Sequence, residues 1–519
     1  MLSSASKDSR FRLNLAAMQR AGLFLLVVLA ILVQFFAASQ KSFWEDEMHT
    51  ATVAENTAPQ ILAKYSKDVH PPLQYLLYSF WGRVFGYQET GLRLLSIGLI
   101  CLVFFLTYQL SLLLFDFRTG AIALVLLAFS AFFLTYGINV RYYALSAVLT
   151  LLALFVTVRY FSSKNLLYLL GYVLAGVALV YTVYTGFFVL LFCFLWGVGL
   201  WWRGGRQKLP GVLWLLSQFA IILAFLPWVP FMLGAGNRHF QLPALGPGLV
   251  FDVLKRLVYL LYAYTLGVTI SPLHWVAWIG LVVFAILAVR IVLEFRRLPG
   301  NWWALFACFG LLTGLAILIS ILTIYPVSNL QSIPYHIFYV YPIFVMLLAY
   351  VIGRMKQATA LALIAIILVI GLFGMYNYFT GRQFLTPILN VPWKEIVAEI
   401  QAERTPDAAV ICDGKDASCF YYLNRIEMKA YRPKAWQQLK EENHSQVWWI
   451  QTNLGELAYD EQAEQSVLDD LARLYQTSQV ANYAPNDPSI RTLKTKFMHQ
   501  KDYAYRLQVY HFSDIKTPQ

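Results

Sequence analysis

Acidic side chains are scarce before residue 380, yet three stand together in Trp44-Glu45-Asp46-Glu47-Met48-His49, directly after the first apolar run. A carboxylate there could take a proton from a hydroxyl, because nearby hydrocarbon strips part of its water and strengthens it as a base. The alternative is a solvated charge run beside a membrane segment, and residue types alone leave both readings open. Further along the same polar stretch, Asp68-Val69-His70-Pro71-Pro72-Leu73 places an imidazole at a corner stiffened by two prolines. His70 could bind phosphate or simply cap its loop. Arg141 stands among Tyr136, Tyr142 and Tyr143. Its planar guanidinium can grip phosphate through two parallel hydrogen bonds. An arginine at a helix end can equally reach out to interfacial water. Arg238 and His239, and His336 within Tyr335-His336-Ile337-Phe338-Tyr339, are further candidate phosphate ligands. Glu45, Asp46, Glu47, His49 and His70 are of types that bind divalent ions, but their spacing matches no ligand pattern.

The elements that must position these groups are membrane spans. Of 519 residues, 59% are hydrophobic and 13% charged, against about 25% charged in a soluble chain. The deficit lies before residue 380, in apolar runs of about 17–25 residues, long enough to cross a bilayer core. Lipid offers the backbone no partners, so these runs are expected to be helices; the short alternating segments of a β-barrel are absent from the sequence. Expected spans are 21–39, 91–115, 120–137, 143–160, 166–184, 185–202, 211–233, 273–295, 302–325, 337–353 and 359–379, about eleven in all. The first is read as an uncleaved span, because it is long for a signal peptide. Pro71 to Phe85 suits an interfacial helix, and Pro227 and Pro230 should kink the span that contains them. Phe251 to Thr269 carries Asp252, Lys255 and Arg256 and reads as re-entrant or interfacial.

The formal net charge of +12 sits largely in short loops, at residues such as Arg10, Arg12, Arg118, Arg206, Arg296, Arg297 and Arg354. That is the pattern by which cytoplasmic loops are marked, so it reports orientation and not a nucleic-acid partner. It puts the polar loop 40–90 and the C-terminus on the outer face. A membrane domain 1–379, with loop 40–90, is therefore expected before an extracytoplasmic domain 380–519. The latter has a soluble composition and reads as a small α/β unit. Helices are expected at 395–403 and 462–475, buried strands at 408–412 and 446–450, and an edge strand at 503–512. No Gly-rich phosphate loop follows either buried strand, and no internal repeat is visible. Cys101, Cys193 and Cys308 fall in apolar runs, whereas Cys412 and Cys419 share the terminal domain, where a disulfide is one option.

The order Asp46-Glu47, His70-Pro71-Pro72-Leu73, Gly86, Arg93-Leu94-Leu95-Ser96 and Tyr136…Arg141-Tyr142-Tyr143 resembles the GT-C superfamily of membrane glycosyltransferases. It is most similar to the dolichyl-phosphate-mannose–protein mannosyltransferase-like family, with kinship to the lipid A aminoarabinose transferases. Two stretches depart from the pattern: Tyr181-Thr182-Val183-Tyr184, where relatives carry a histidine, and Tyr335-His336, where relatives show Arg-Tyr. The resemblance implies an inverting glycosyltransferase without metal or other cofactor. A monosaccharide would pass from a polyprenyl-phosphate carrier to an acceptor hydroxyl on a glycan, lipid or protein. Asp46 and Glu47 would be catalytic; His70, Arg141, Tyr142, Arg238 and His336 would bind the donor. A multi-pass protein of a bacterial inner or plasma membrane is the matching location. A flippase of lipid-linked sugars would instead need charges along a transmembrane path, and a non-catalytic scaffold would leave the acidic and HPPL-like motifs without a purpose.

Overall fold

A computed structural model describes residues 2–66, 70–205, 207–239, 249–322, 332–412, 417–436, 439, 442, 444–453, 461–483, 487–493, 496 and 506–515. Two compact units form. One comprises Met1–Ser39, Val53–Thr269 and Trp275–Tyr376; the other comprises Gln40–Thr52, Ile270–His274 and Asn377–Gln519.

In the first unit the apolar runs are helices, as a backbone surrounded by lipid requires. Among the described residues eight are long and apolar enough to cross a membrane: Ala17–Gln40, Glu89–Leu114, Tyr143–Ser163, Gly186–Arg203, Lys208–Gly234, Trp275–Arg297, Gly300–Ile321 and Gln357–Thr380. The chain is a multi-pass integral membrane protein. Two shorter apolar helices, Leu166–Val180 and Phe338–Gly353, occupy further expected positions. The expected span 120–137 is instead a broken pair, Phe117–Ala128 and Ala131–Gly137, bent by 67°. Ser130 makes the break: its hydroxyl accepts the Phe133 N–H at 3.0 Å and the Tyr341 hydroxyl proton at 2.7 Å. Such a side-chain cap starts a new helix at the expense of the old one. The two prolines near residue 228 act more mildly, tightening Leu226–Trp228 into one 3-10 turn inside the Lys208–Gly234 span. The Leu249–Leu266 helix, with a Lys255–Asp252 ion pair at 2.9 Å, is not among the helices apolar enough to cross.

Gly371 packs against the break. A Cβ at this position would overlap the carbonyl oxygen of Phe129, a backbone atom that cannot swing away. Gly371→Ala should therefore destabilise the helical unit by about 1–3 kcal/mol, read as a lower melting temperature of the full chain in detergent.

The second unit holds a five-stranded sheet. Its strands are β1 (Ala409–Cys412), β2 (Ala430–Tyr431), β3 (Gln446–Asn453), β4 (Tyr475–Asn482) and β5 (Arg506–Ile515), in the order β2-β1-β3-β5-β4. β2, β1 and β3 run parallel, while β5 is antiparallel to both β3 and β4. The strand expected at an edge is thus an interior one, because β4 pairs along its outer side. Ile411, Val447, Trp449, Leu471 and Phe512 form a core on one face. A disulfide joins Cys412, at the end of β1, to Cys419 of the Ala417–Asn424 helix.

On the opposite face His511 stacks on Trp448, with ring centroids 3.8 Å apart. Burial pushes the His511 imidazole below its ordinary value, outweighing Glu403 and Asp514, whose charges act the other way. A depressed imidazole favours the folded state above its unfolded value of about 6.5 and loses that contribution as pH falls. After correction for the intrinsic pH dependence of amide exchange, the protection of β3 and β5 in the intact protein should fall between pH 7 and pH 5, and His511→Phe should flatten the dependence.

Candidate active site

The first helix ends at Gln40, and the next, Glu45–Ala54, opens with Glu45, Asp46 and Glu47 in its first turn. The unpaired N–H groups and positive dipole end of a helix favour carboxylates there. Successive residues turn by about 100°, so the three do not share a face. Glu45 is exposed, Asp46 half-buried, and Glu47 only 1% exposed. The segment just before them is tied to residues far along the chain within the same unit. Lys41 Nζ donates to Asn390 and lies 5.3 Å from the centre of the Tyr378 ring. Ser42 Oγ accepts the Lys394 N–H at 3.0 Å, and the Phe43 N–H donates to the Tyr422 hydroxyl at 2.6 Å. None of these three was among the expected site residues. Their partners lie some 350 residues away, so no local pattern could have revealed them.

In the helical unit, Arg141 and Tyr142 sit in the turn before the Tyr143–Ser163 helix and are 4% and 3% exposed. A guanidinium reaching for interfacial water would keep its head wet; Arg141 does not. Its guanidinium lies 5.7 Å from the Tyr142 ring centre, and Tyr142 is 6.4 Å from the His336 ring. Tyr335 stands 5.1 Å from Tyr136, 5.6 Å from Tyr143 and 4.7 Å from His336. The fold thus gathers Arg141, Tyr142 and His336, three expected site residues, into one aromatic cluster, and adds Tyr335. His336 Nδ1 lies 2.7 Å from the Ser332 carbonyl. A carbonyl only accepts, so Nδ1 carries a proton and Nε2 is the ring nitrogen left for another partner.

His70 is half-buried at the bend before the Leu73–Phe85 helix. The Leu73 N–H donates to the Tyr181 carbonyl at 3.0 Å, so the HPPL corner is fastened to the Tyr181-Thr182-Val183-Tyr184 stretch. Arg238 lies on the Val229–His239 helix; its side chain and Asp68 fall outside the described residues. Among the described residues no group of three or more His, Cys, Asp or Glu side chains is arranged to hold a metal ion.

Residues 69–231 match the family described as dolichyl-phosphate-mannose-protein mannosyltransferase, a segment that contains His70, Arg141 and Tyr142. No curated protein sequence matches. Among solved structures, ArnT from Cupriavidus metallidurans bound to undecaprenyl phosphate aligns over 96% of this chain and 99% of its own, with TM-score 0.54 and 12% identity. The same protein in the apo state aligns over 95% and 98%, with TM-score 0.54 and 13% identity. This is the GT-C fold. An Archaeoglobus fulgidus oligosaccharyltransferase in complex with zinc and sulfate is a looser likeness, covering 82% of this chain and 68% of its own at TM-score 0.42 and 12% identity.

Within the GT-C fold the Arg-Leu-x-Ser segment has an internal task. Arg93 is 1% exposed and donates from Nη1 to the Ala38 carbonyl at 3.0 Å, satisfying an acceptor near the end of the first helix. Arg93→Ala removes a charge-assisted bond from a dry interior. It should cost about 2 kcal/mol, seen as a lower melting temperature and faster hydrogen exchange at residues 30–40.

Proposed function

We propose that the chain is an inverting glycosyltransferase that moves a monosaccharide from a polyprenyl-phosphate carrier to an acceptor hydroxyl at the extracytoplasmic membrane face. The observation that carries the reading is a dry guanidinium, Arg141, set among Tyr142, Tyr335 and His336 in a chain of GT-C fold. A guanidinium can hold a phosphate through two parallel hydrogen bonds, and a lipid phosphate is an anion that the bilayer itself supplies. The undecaprenyl phosphate bound to ArnT is of that class.

In this reading Asp46 accepts the proton of the acceptor hydroxyl as its oxygen attacks the anomeric carbon from the face opposite the phosphate. The bond from that carbon to the phosphate oxygen breaks, and the electron pair leaves with the polyprenyl phosphate. Arg141 meets the charge that develops on the leaving oxygen with hydrogen bonds already in place. His336 Nε2 and His70 contact the donor head group, with Arg238 as a further cation. Aromatic faces such as Tyr142 suit the apolar side of a sugar ring. Asp46, half-buried, is the base, and the buried Glu47 beside it is the second catalytic carboxylate. The acceptor is a glycan, lipid or protein hydroxyl.

Asp46→Asn tests the assignment in vesicles that hold the full chain, a panel of radiolabelled undecaprenyl-phosphate sugars and a membrane extract as acceptor. Transfer should fall about 10²–10⁴-fold, while undecaprenyl phosphate binding stays within about twofold. Transfer at the unmutated rate would sink the base assignment. Label crossing the bilayer without transfer would assign the chain to transport.

A further inference from the structure

The backbone that presents Arg141 is held from two other helices. The Arg141 N–H donates to the Asn139 carbonyl two residues back at 2.7 Å, closing a three-residue turn. The same oxygen accepts the Ser96 hydroxyl at 3.0 Å, from the Glu89–Leu114 helix. Tyr78, on the Leu73–Phe85 helix, places its hydroxyl 2.7 Å from Ser96 Oγ, 3.5 Å from the Asn139 carbonyl and 3.4 Å from the Arg141 carbonyl. Each hydroxyl has one proton. With the Ser96 proton on the carbonyl, Tyr78 donates its own to Ser96, and its two longer carbonyl contacts are weak. The result is a relay from Tyr78 to Ser96 to the Asn139 carbonyl. It is buried throughout: Tyr78 is 2% exposed, Ser96 0% and Asn139 4%.

From this geometry we infer that Tyr78 and Ser96 are positioning residues that set the Arg141 guanidinium for lipid phosphate. The inference rests on the phosphate role proposed above for Arg141. A turn of this kind, with no glycine in it, has little stability of its own. Inside a bundle no water can replace a lost donor, so removing the Ser96 hydroxyl frees the turn to drift. Bidentate contact with phosphate requires a fixed plane, and a drift of about 1 Å is enough to lose it. The relay also gives two family-like motifs a common purpose. Ser96 closes Arg-Leu-x-Ser, and Tyr78 follows the HPPL corner on the same helix.

The test measures binding of tritiated undecaprenyl phosphate to the full chain in nanodiscs. Ser96→Ala should weaken binding about tenfold and Tyr78→Phe about fivefold, whereas Ser96→Thr, which keeps the hydroxyl, should stay within about twofold of the unmutated chain. In an Arg141→Ala background, Ser96→Ala should have no further effect. If Arg141→Ala alone binds normally, the phosphate role of Arg141 falls and this inference falls with it. If Arg141→Ala weakens binding but Ser96→Ala and Tyr78→Phe do not, the positioning role alone is overturned. An equal loss from Ser96→Ala with and without Arg141 would overturn it too, since the serine would then act elsewhere.

Discussion

A guanidinium cannot be left dry and unmatched. Taking an arginine out of water costs several kcal/mol unless hydrogen bonds and a counter-charge answer it, and Arg141 is 4% exposed in a unit built from apolar helices. The surrounding architecture gathers and stiffens the aromatic cluster beside it. The break at Phe129 and Ser130 redirects the chain, so that the short Ala131–Gly137 helix brings Tyr136 to the cluster instead of continuing a straight span. Gly371 lets the Gln357–Thr380 helix close directly on the broken backbone. Phe132, Phe133, Tyr264 and Phe338 pack edge and face around the same short helix. The Tyr264 hydroxyl donates to the Ile337 carbonyl at 2.8 Å, so this aromatic packing adds rigidity without leaving that group unsatisfied.

The acidic turn follows a different logic. Its three carboxylates sit where a helix start welcomes negative charge, which would be a sufficient structural reason for one or two of them. What singles out the pair is that neighbouring residues have been given opposite surroundings, Asp46 half-buried and Glu47 enclosed. Residues 41–43 fix the turn through three contacts of two kinds, a cation on an amide and two backbone–hydroxyl bonds. Rigid placement of that kind is what a positioned base requires.

Sequence carried the membrane architecture well because hydrocarbon is an undiscriminating solvent: any run of about twenty apolar residues must be helical in it. The helices at 393–403 and 461–474 and the strands β1 and β3 were legible for a related reason, their apolar periodicity. The sequence did not show what depends on a partner far away. Ser130 reads as one polar residue in an apolar run until Tyr341 is seen to donate to it. β5 alternates as an edge strand would, and only β4, whose own sequence is largely polar, puts it inside the sheet. Arg141, Tyr142 and His336 were singled out by residue type, and the fold brings them together. The bonds of Lys41, Ser42, Phe43, Tyr78 and Ser96 could not be read from the sequence, because hydroxyl and amide partners leave no periodic trace. Arg93 and Ser96 did stand in a visible motif, but its internal bracing role is apparent only from their bonds.

The lacing of residues 41–43 to residues 390, 394 and 422 also bears on how the molecule comes into being. A ribosome that has translated every membrane span has not yet made Tyr422, so the segment carrying Asp46 emerges early and then waits, without its moorings, for the last quarter of the polypeptide. The nascent chain can be fully threaded through the bilayer and still lack a fixed acid. Anchoring of that segment is thereby tied to completion of synthesis, and a product cut short after the last span would lack it.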